Sequence, residues 1–175
     1  NSDVSTRGYF GAEGSHTLEK FINEVARDIQ DPETRLSIWK RAQLRQIGRP
    51  DDLSERQEAR SRTDLRIGAL GSGSDYGAFL QHDGVAALNL GFGGEDGGGI
   101  YHSIYDDFYW YTHFADTDFR YGLALAQTIG TAVMQLADAE VLPYDFTGLA
   151  DTVNQYSTEL EKLLKMAEAL IKYET

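Results

Sequence analysis

The sequence predicts an α/β fold with a parallel sheet, followed by a helical segment, and three features carry that prediction. Leu65 to Leu70 and Val85 to Leu90 read as short apolar strands flanking a helical stretch. A strand, a helix and a second strand in close succession form a crossover unit, which implies parallel pairing. A long amphipathic pattern begins near Asp116, and a heptad seam runs from Leu149 to Leu170.

Taken in order, Asn1 to Thr17 is rich in Gly, Ser and Thr and is expected to be loop. Leu18, Phe21, Ile22, Val25, Ala26 and Ile29 recur at helical spacing and form one apolar face. Asp31 and Pro32 supply an N-cap and a first-turn proline for a second helix. It is expected to bury Leu36, Trp39, Leu44 and Ile47 and to stop at Gly48 and Pro50. From Asp51 to Thr63 both charge signs crowd together with few large apolar residues, as in an exposed linker. The next strand, Leu65 to Leu70, leads through the turn Gly71 to Asp75 into a short helix marked by Tyr76, Phe79 and Leu80.

Asp83 and Gly84 turn the chain into the strand ending at Leu90, after which Gly91 to Gly99 reads as a loop with Glu95 and Asp96 solvated. Asp116, Thr117 and Asp118 offer capping oxygens and negative charge to the N-terminus of a long helix. Its expected inner face is Phe119, Leu123, Ala126, Ile129, Val133, Met134 and Ala137, with Gly122, Ala126 and Gly130 allowing close approach. Leu142-Pro143-Tyr144-Asp145 marks a boundary. Beyond it, Leu149, Val153, Tyr156, Leu160, Leu163, Ala167 and Leu170 form a seam that needs partners to be buried.

The chain has 175 residues, enough for a domain with a real core, and 41% hydrophobic content excludes wholesale disorder. A formal charge of -12 opposes capture of nucleic acid or anionic membrane. With no cysteine, disulfides and thiolate metal sites are excluded, so any zinc must be held by His, Asp or Glu. No apolar run approaches the roughly 18 residues of a membrane span, and no signal peptide is visible. A start at Asn1 rather than methionine is what a piece of a longer protein would show.

Two glycine-rich stretches invite a nucleotide reading, and neither supports it. Gly71-Ser72-Gly73 follows a strand and opens a helix, but Tyr76 occupies the place of the third glycine in a dinucleotide fingerprint. Gly91 to Gly99 lacks the Lys-Ser/Thr pair of a phosphate loop. The first is better read as a strand-end loop that approaches a ligand, with a plain tight turn as the alternative. Of the four histidines, His16 and His82 read as surface residues and His113 as structural. His102, in Gly-Ile-Tyr-His-Ser between a glycine-rich and an acidic aromatic stretch, is balanced between a ligand and a structural role.

The order of these pieces adds to that reading. A Gly-Ser-Gly-x-Asp turn opening a helix, a buried strand, a glycine-rich loop, Tyr-His-Ser-x-Tyr-Asp and a long helix ending at Leu-Pro-Tyr-Asp resemble the glutamate carboxypeptidase II group of M28 zinc peptidases. That group includes the non-catalytic transferrin receptor. The resemblance implies that residues 1–145 are the C-terminal part of a zinc-peptidase domain with a partial parallel sheet, and that residues 146–175 begin a helical dimerisation domain.

By that resemblance Asp3 and His102 would ligate one each of two zinc ions, and Tyr101 would help hold the tetrahedral intermediate. Gly73 and Ser74 would line the substrate cleft. The implied chemistry is hydrolysis of a peptide by a metal-activated water. The family's other histidine, its bridging aspartate and its paired glutamates match no residue here, so the chain alone is expected to be inactive and not to retain zinc. The family's arginine-lined pocket corresponds to Asn89-Leu90-Gly91-Phe92, which has no arginine, and this argues against a preference for acidic residues. Further expectations are a homodimer, a peptide substrate for the parent, no nucleic-acid or membrane contact, and an extracytoplasmic location. The competing reading is a receptor-like or dimerisation module that kept the fold without the chemistry.

Overall fold

A computed structural model describes residues 1–3, 5–48, 53–95 and 100–174. Its centre is a two-stranded sheet of β1 (Gly8–Gly14) and β2 (Leu88–Gly94), paired antiparallel with Glu13 opposite Asn89 and Phe10 opposite Phe92. The expected parallel sheet is therefore corrected. β2 pairs not with Leu65 to Leu70 but with a stretch whose glycines made it read as loop. That richness in glycine is compatible with a strand because the partner backbone comes close. At Gly8, with φ +148°, a Cβ would lie 2.1 Å from the Gly93 carbonyl oxygen.

Among the described residues, parallel contacts occur at the margins of this pair. Gly68 makes an isolated parallel bridge to Glu13, exchanging bonds with Gly14 and Ala12 at 2.8 and 3.1 Å. On the other side of β2, Asn1 donates from its N-terminus to Leu88 (2.8 Å) and accepts from Leu90 (3.0 Å), and Thr6 donates to Phe92 (3.0 Å).

The helix α1 (Glu19–Asp28) presents the face its periodicity predicts. Leu18, Phe21, Ile22, Val25, Ala26 and Ile29 are all buried, and they join Leu90, Phe92, Tyr121 and Leu125 in the main core. Each large apolar side chain so buried contributes about 1.5–3 kcal/mol as an upper estimate. The second helix, α2 (Ile38–Gly48), starts later than expected. Asp31 instead caps the preceding turn, accepting from Glu33, Thr34 and the Thr34 hydroxyl at 2.8–3.0 Å, while Ser37 accepts from Lys40 at 3.1 Å. Leu36 therefore falls outside the helix and is exposed; within it Ile38, Arg41, Ala42 and Gln43 are buried, and Leu44 is exposed. Pro50 lies outside the described residues.

The charged stretch read as a linker contains a helix, α3 (Leu53–Ser61), which packs Ala59 against Ala42 and Leu65. Arg and Glu have high helix propensity, so a polar helix with one small buried residue needs no amphipathic stripe. Residues 78–82 form a π-helical turn, and α4 (Phe108–Trp110) runs into another over Tyr111–Ala115.

Among the described residues no helix is long and apolar enough to cross a membrane. α5 (Arg120–Asp138) forms where expected, but Asp116 caps it with Phe119 in a left-handed conformation at its start. The Asp116 carboxylate accepts from the backbone of Tyr121 and Gly122 at 3.2 and 2.7 Å. Its buried face is Tyr121, Ala124, Leu125, Thr128 and Ala132, whereas Leu123, Val133 and Met134 are exposed. Apolar residues surround this helix on every side, so periodicity alone cannot select the inner face. A Cβ at Gly122 would make only ordinary contact with the Asp116 carboxylate and Tyr111 hydroxyl, at 3.5 and 3.6 Å, and Gly130 faces open space, so neither glycine is required for close approach.

Asp145 caps the last helix, α6 (Phe146–Glu174), by accepting from Thr147 and Gly148 at 2.9 and 3.1 Å. Most of its seam, including Leu160, Leu163 and Leu170, is exposed.

Candidate functional site

Asp3 stands at the free edge of β2, where Asn1 is bonded to the backbone of Leu88 and Leu90. Its two carboxylate oxygens are bound separately. Oδ1 accepts the Ser74 hydroxyl at 2.5 Å, and Oδ2 accepts the Asn89 amide at 3.2 Å. The Asn1 amide ties the two donors together, reaching Ser74 Oγ at 3.1 Å and Asn89 Oδ1 at 2.9 Å. The Ser74 hydroxyl, then the Asn1 amide, holds the Asp3 carboxyl below the ordinary carboxylate range, so it is ionised at neutral pH.

Gly73 places Ser74. Its φ of +99° lies in the region glycine favours, while nothing crowds its α-carbon, so the turn needs its backbone freedom rather than its small size. The loop read as a ligand-approaching turn thus meets Asp3 through its serine.

Tyr101 and His102 occupy a turn closed by a bond from Ser103 N–H to the Ile100 carbonyl at 2.8 Å. His102 has φ +62°, a conformation that non-glycine side chains adopt at a cost of order 1–3 kcal/mol. The two rings stack with centroids 3.8 Å apart. Tyr101 is 65% exposed, so burial does not account for it. Ser103 and Asp107 continue the local bonding, with Asp107 capping α4 through Trp110 at 2.9 Å. Among the described residues, no hydrogen bond or ion pair connects this turn to the Asp3 cluster.

A zinc site requires three or four ligands from the set available here. Asp3 and His102 each offer one donor, and no group of three His, Asp or Glu suited to a metal occurs among the described residues. The described residues therefore do not assemble a three-ligand metal site among themselves.

The other histidines separate clearly. His82 is exposed, and His113 is held locally, its Nδ1 2.7 Å from the Tyr109 carbonyl and its ring stacked on Tyr109. His16 is not a surface residue. Its side chain is 11% exposed and its Nε2 lies 3.2 Å from the Tyr156 hydroxyl. Burial first, and Arg66 after it, lower its affinity for a proton, although Glu19 opposes them.

Glu95 is not simply solvated either. It binds Arg41 at 2.5 Å and Arg7 at 3.4 Å. Asp96 lies outside the described residues. Sequence reasoning also passed over Asn89 and Asn1 as holders of Asp3. The available signal was Asn89 itself, the lone polar residue within Val85 to Leu90.

No protein-family model matches the chain. Curated proteins do. The chain is 32% identical over 166 residues, 92% of its length, to a protein of Arabidopsis thaliana named a probable glutamate carboxypeptidase. It is 37% identical over 101 residues, 56% of its length, to another so named from Arthroderma benhamiae. An aminopeptidase of Mus musculus is 30% identical over 108 residues, 58% of the chain. The chain spans 21% of the first of these relatives and 14% of each of the other two. Its similarity is thus to a limited stretch of proteins named as glutamate carboxypeptidases and aminopeptidases.

Proposed function

We propose that the chain is part of a metallopeptidase of the glutamate carboxypeptidase kind, in which Asp3 and His102 are ligands of two different zinc ions. The observation that supports this reading is the similarity along 92% of the chain to a protein named a probable glutamate carboxypeptidase. An ionised Asp3, held by neutral donors beside the loop carrying Gly73 and Ser74, is consistent with it. The exposed side chain of Tyr101 suits a group whose hydroxyl meets a substrate oxygen as negative charge develops there. The substrate would be a peptide or dipeptide. The stretch Asn89-Leu90-Gly91-Phe92 holds no arginine, which argues against selection for an acidic side chain.

On this reading the 175-residue chain is inactive by itself, because among its described residues Asp3 and His102 would be single ligands rather than a closed metal shell. The exposed seam of α6 would pair with a second copy. Calorimetry with zinc, together with dipeptide hydrolysis assays, tests the proposal. Weak zinc binding that Asp3→Ala and His102→Ala each reduce, with no hydrolysis, is expected. Zinc binding indifferent to both substitutions would favour the non-catalytic reading, and robust hydrolysis by the chain would overturn its proposed inactivity.

A further inference from the structure

The Asp3 cluster shows more than the presence of a carboxylate. Asn89 lies on β2, where Glu13 pairs with it across the sheet and Asn1 bonds the backbone of its two neighbours. The pleat sends Leu90 into the core, so Asn89 turns to the other face. Its position is set by the sheet and not by a mobile side-chain contact alone.

Its amide can face only one way. Nδ2 donates to the Asp3 carboxylate and Oδ1 accepts from Asn1. The reverse orientation would set an acceptor oxygen against the carboxylate and an amide donor against the Asn1 donor. Ser74 is constrained similarly, accepting from Asn1 and giving its own proton to the other Asp3 oxygen. Each carboxylate oxygen then has one donor and keeps further acceptor capacity.

We propose that Asn89, acting with Ser74, is a positioning residue that fixes the Asp3 carboxylate in one orientation before any metal or substrate arrives. This rests on the reading of Asp3 as a metal ligand, and it reassigns Ser74 from a substrate contact to a holder of that ligand. Both holders are neutral. An arginine or lysine in either place would orient the carboxylate but also neutralise it, weakening its attraction for a cation. Neutral amide and hydroxyl donors fix the geometry and leave the full negative charge, as expected of groups that support a metal ligand.

Side-chain NMR of the full chain without metal tests the positioning directly, through the couplings that report the χ1 rotamer of Asp3. A single rotamer is expected in the parent chain, and averaging in both Asn89→Ala and Ser74→Ala. Ser74→Thr, which keeps the hydroxyl, should retain the single rotamer. Unchanged backbone shifts across Leu88 to Phe92 would show that the sheet edge has survived each substitution. An averaged Asp3 in the parent chain, or a fixed one in both alanine variants, would overturn the proposal.

Adding zinc alone separates this from the peptidase reading. Zinc-induced shifts at Asp3 should require about tenfold more metal in Asn89→Ala. Where zinc does shift Asp3, equal affinity in the two chains would overturn the positioning role. If zinc leaves Asp3 unshifted while the rotamer result holds, the metal-ligand reading falls and the orienting contact stands.

Discussion

The Tyr156 hydroxyl of α6 lies 3.2 Å from His16 Nε2, with the two rings edge to face at a centroid distance of 5.9 Å. This contact joins the last helix to the turn that opens α1. A bond from Asp145 N–H to the Thr17 carbonyl at 2.8 Å reinforces it. Among the described residues His16 Nδ1 has no hydrogen-bond partner, and it stands 4.0 Å from the Glu19 carboxylate, which is itself bound by Arg62 at 2.5 Å.

Because burial lowers the His16 pKa from its ordinary value of 6.5, the folded chain favours the neutral ring more than the unfolded chain does. The unfolded state then binds more protons as pH falls, so the His16 contribution is fully present above pH 6.5 and is lost through the lowered folded pKa. Thermal unfolding of the parent chain and of His16→Gln should show this. The stability gap between them should be widest above pH 6.5 and should shrink on acidification; a gap that widens would refute the assignment.

Arg41 is a buried hub. Its guanidinium binds Asp31 and the Tyr121 hydroxyl at 3.0 and 2.9 Å and reaches Glu33 and Glu95 at 3.1 and 2.5 Å. Burial opposes its charge, but the bonds to Tyr121 and Asp31 prevail and raise its pKa. Arg41→Met would remove the cation bound to Asp31 Oδ2, on a side chain that is 1% exposed, and leave its charge to the neutral donors on Oδ1. A loss of about 3–5 kcal/mol in urea unfolding is expected. Adding Asp31→Asn should restore part of that loss.

Asn23 satisfies four groups from inside the core. Its amide donates to the carbonyls of Glu19 and Leu65 at 2.8 and 2.9 Å, and its oxygen accepts from Leu65 N–H and the Trp39 indole at 2.8 and 2.6 Å. Asn23→Leu would leave buried backbone groups of Leu65 unpaired. Chemical denaturation should report a cost of about 1–3 kcal/mol or more, with faster amide exchange at Leu65.

The α6 seam supplies a separable prediction. Leu160 is 65% exposed, so Leu160→Glu should leave the unfolding midpoint of the dilute chain nearly unchanged. In sedimentation velocity at high concentration, the same substitution should convert a dimer to a monomer. A parent chain that stays monomeric would remove the proposed pairing.

Local chemistry was legible where neighbours in sequence decide the outcome. The α1 face was readable because its apolar residues follow one stripe and its other positions are polar. Asp145 and Leu142-Pro143 marked the break before α6, and the heptad spacing identified the long helix. Asp3, Gly73, Ser74, Tyr101 and His102 were singled out through the family resemblance that motif order carries. Asn89 was passed over because a single amide in an apolar strand has no local pattern that names its partner.

The sequence by itself determined which segments prefer helix, where several helices end, and which polar residues stand out against apolar surroundings. These follow from backbone propensity, capping and periodicity within a few residues. Only the tertiary structure decided that Gly8–Gly14 is a strand, that it runs antiparallel to Leu88–Gly94, and that α5 buries Tyr121 and Leu125 while Leu123 is exposed. It also decided that Asn89 and Ser74 meet Asp3 across separations of 86 and 71 residues. Strand pairing, the choice of a buried face and side-chain networks depend on contacts between distant segments, and no local pattern encodes which distant backbone will approach.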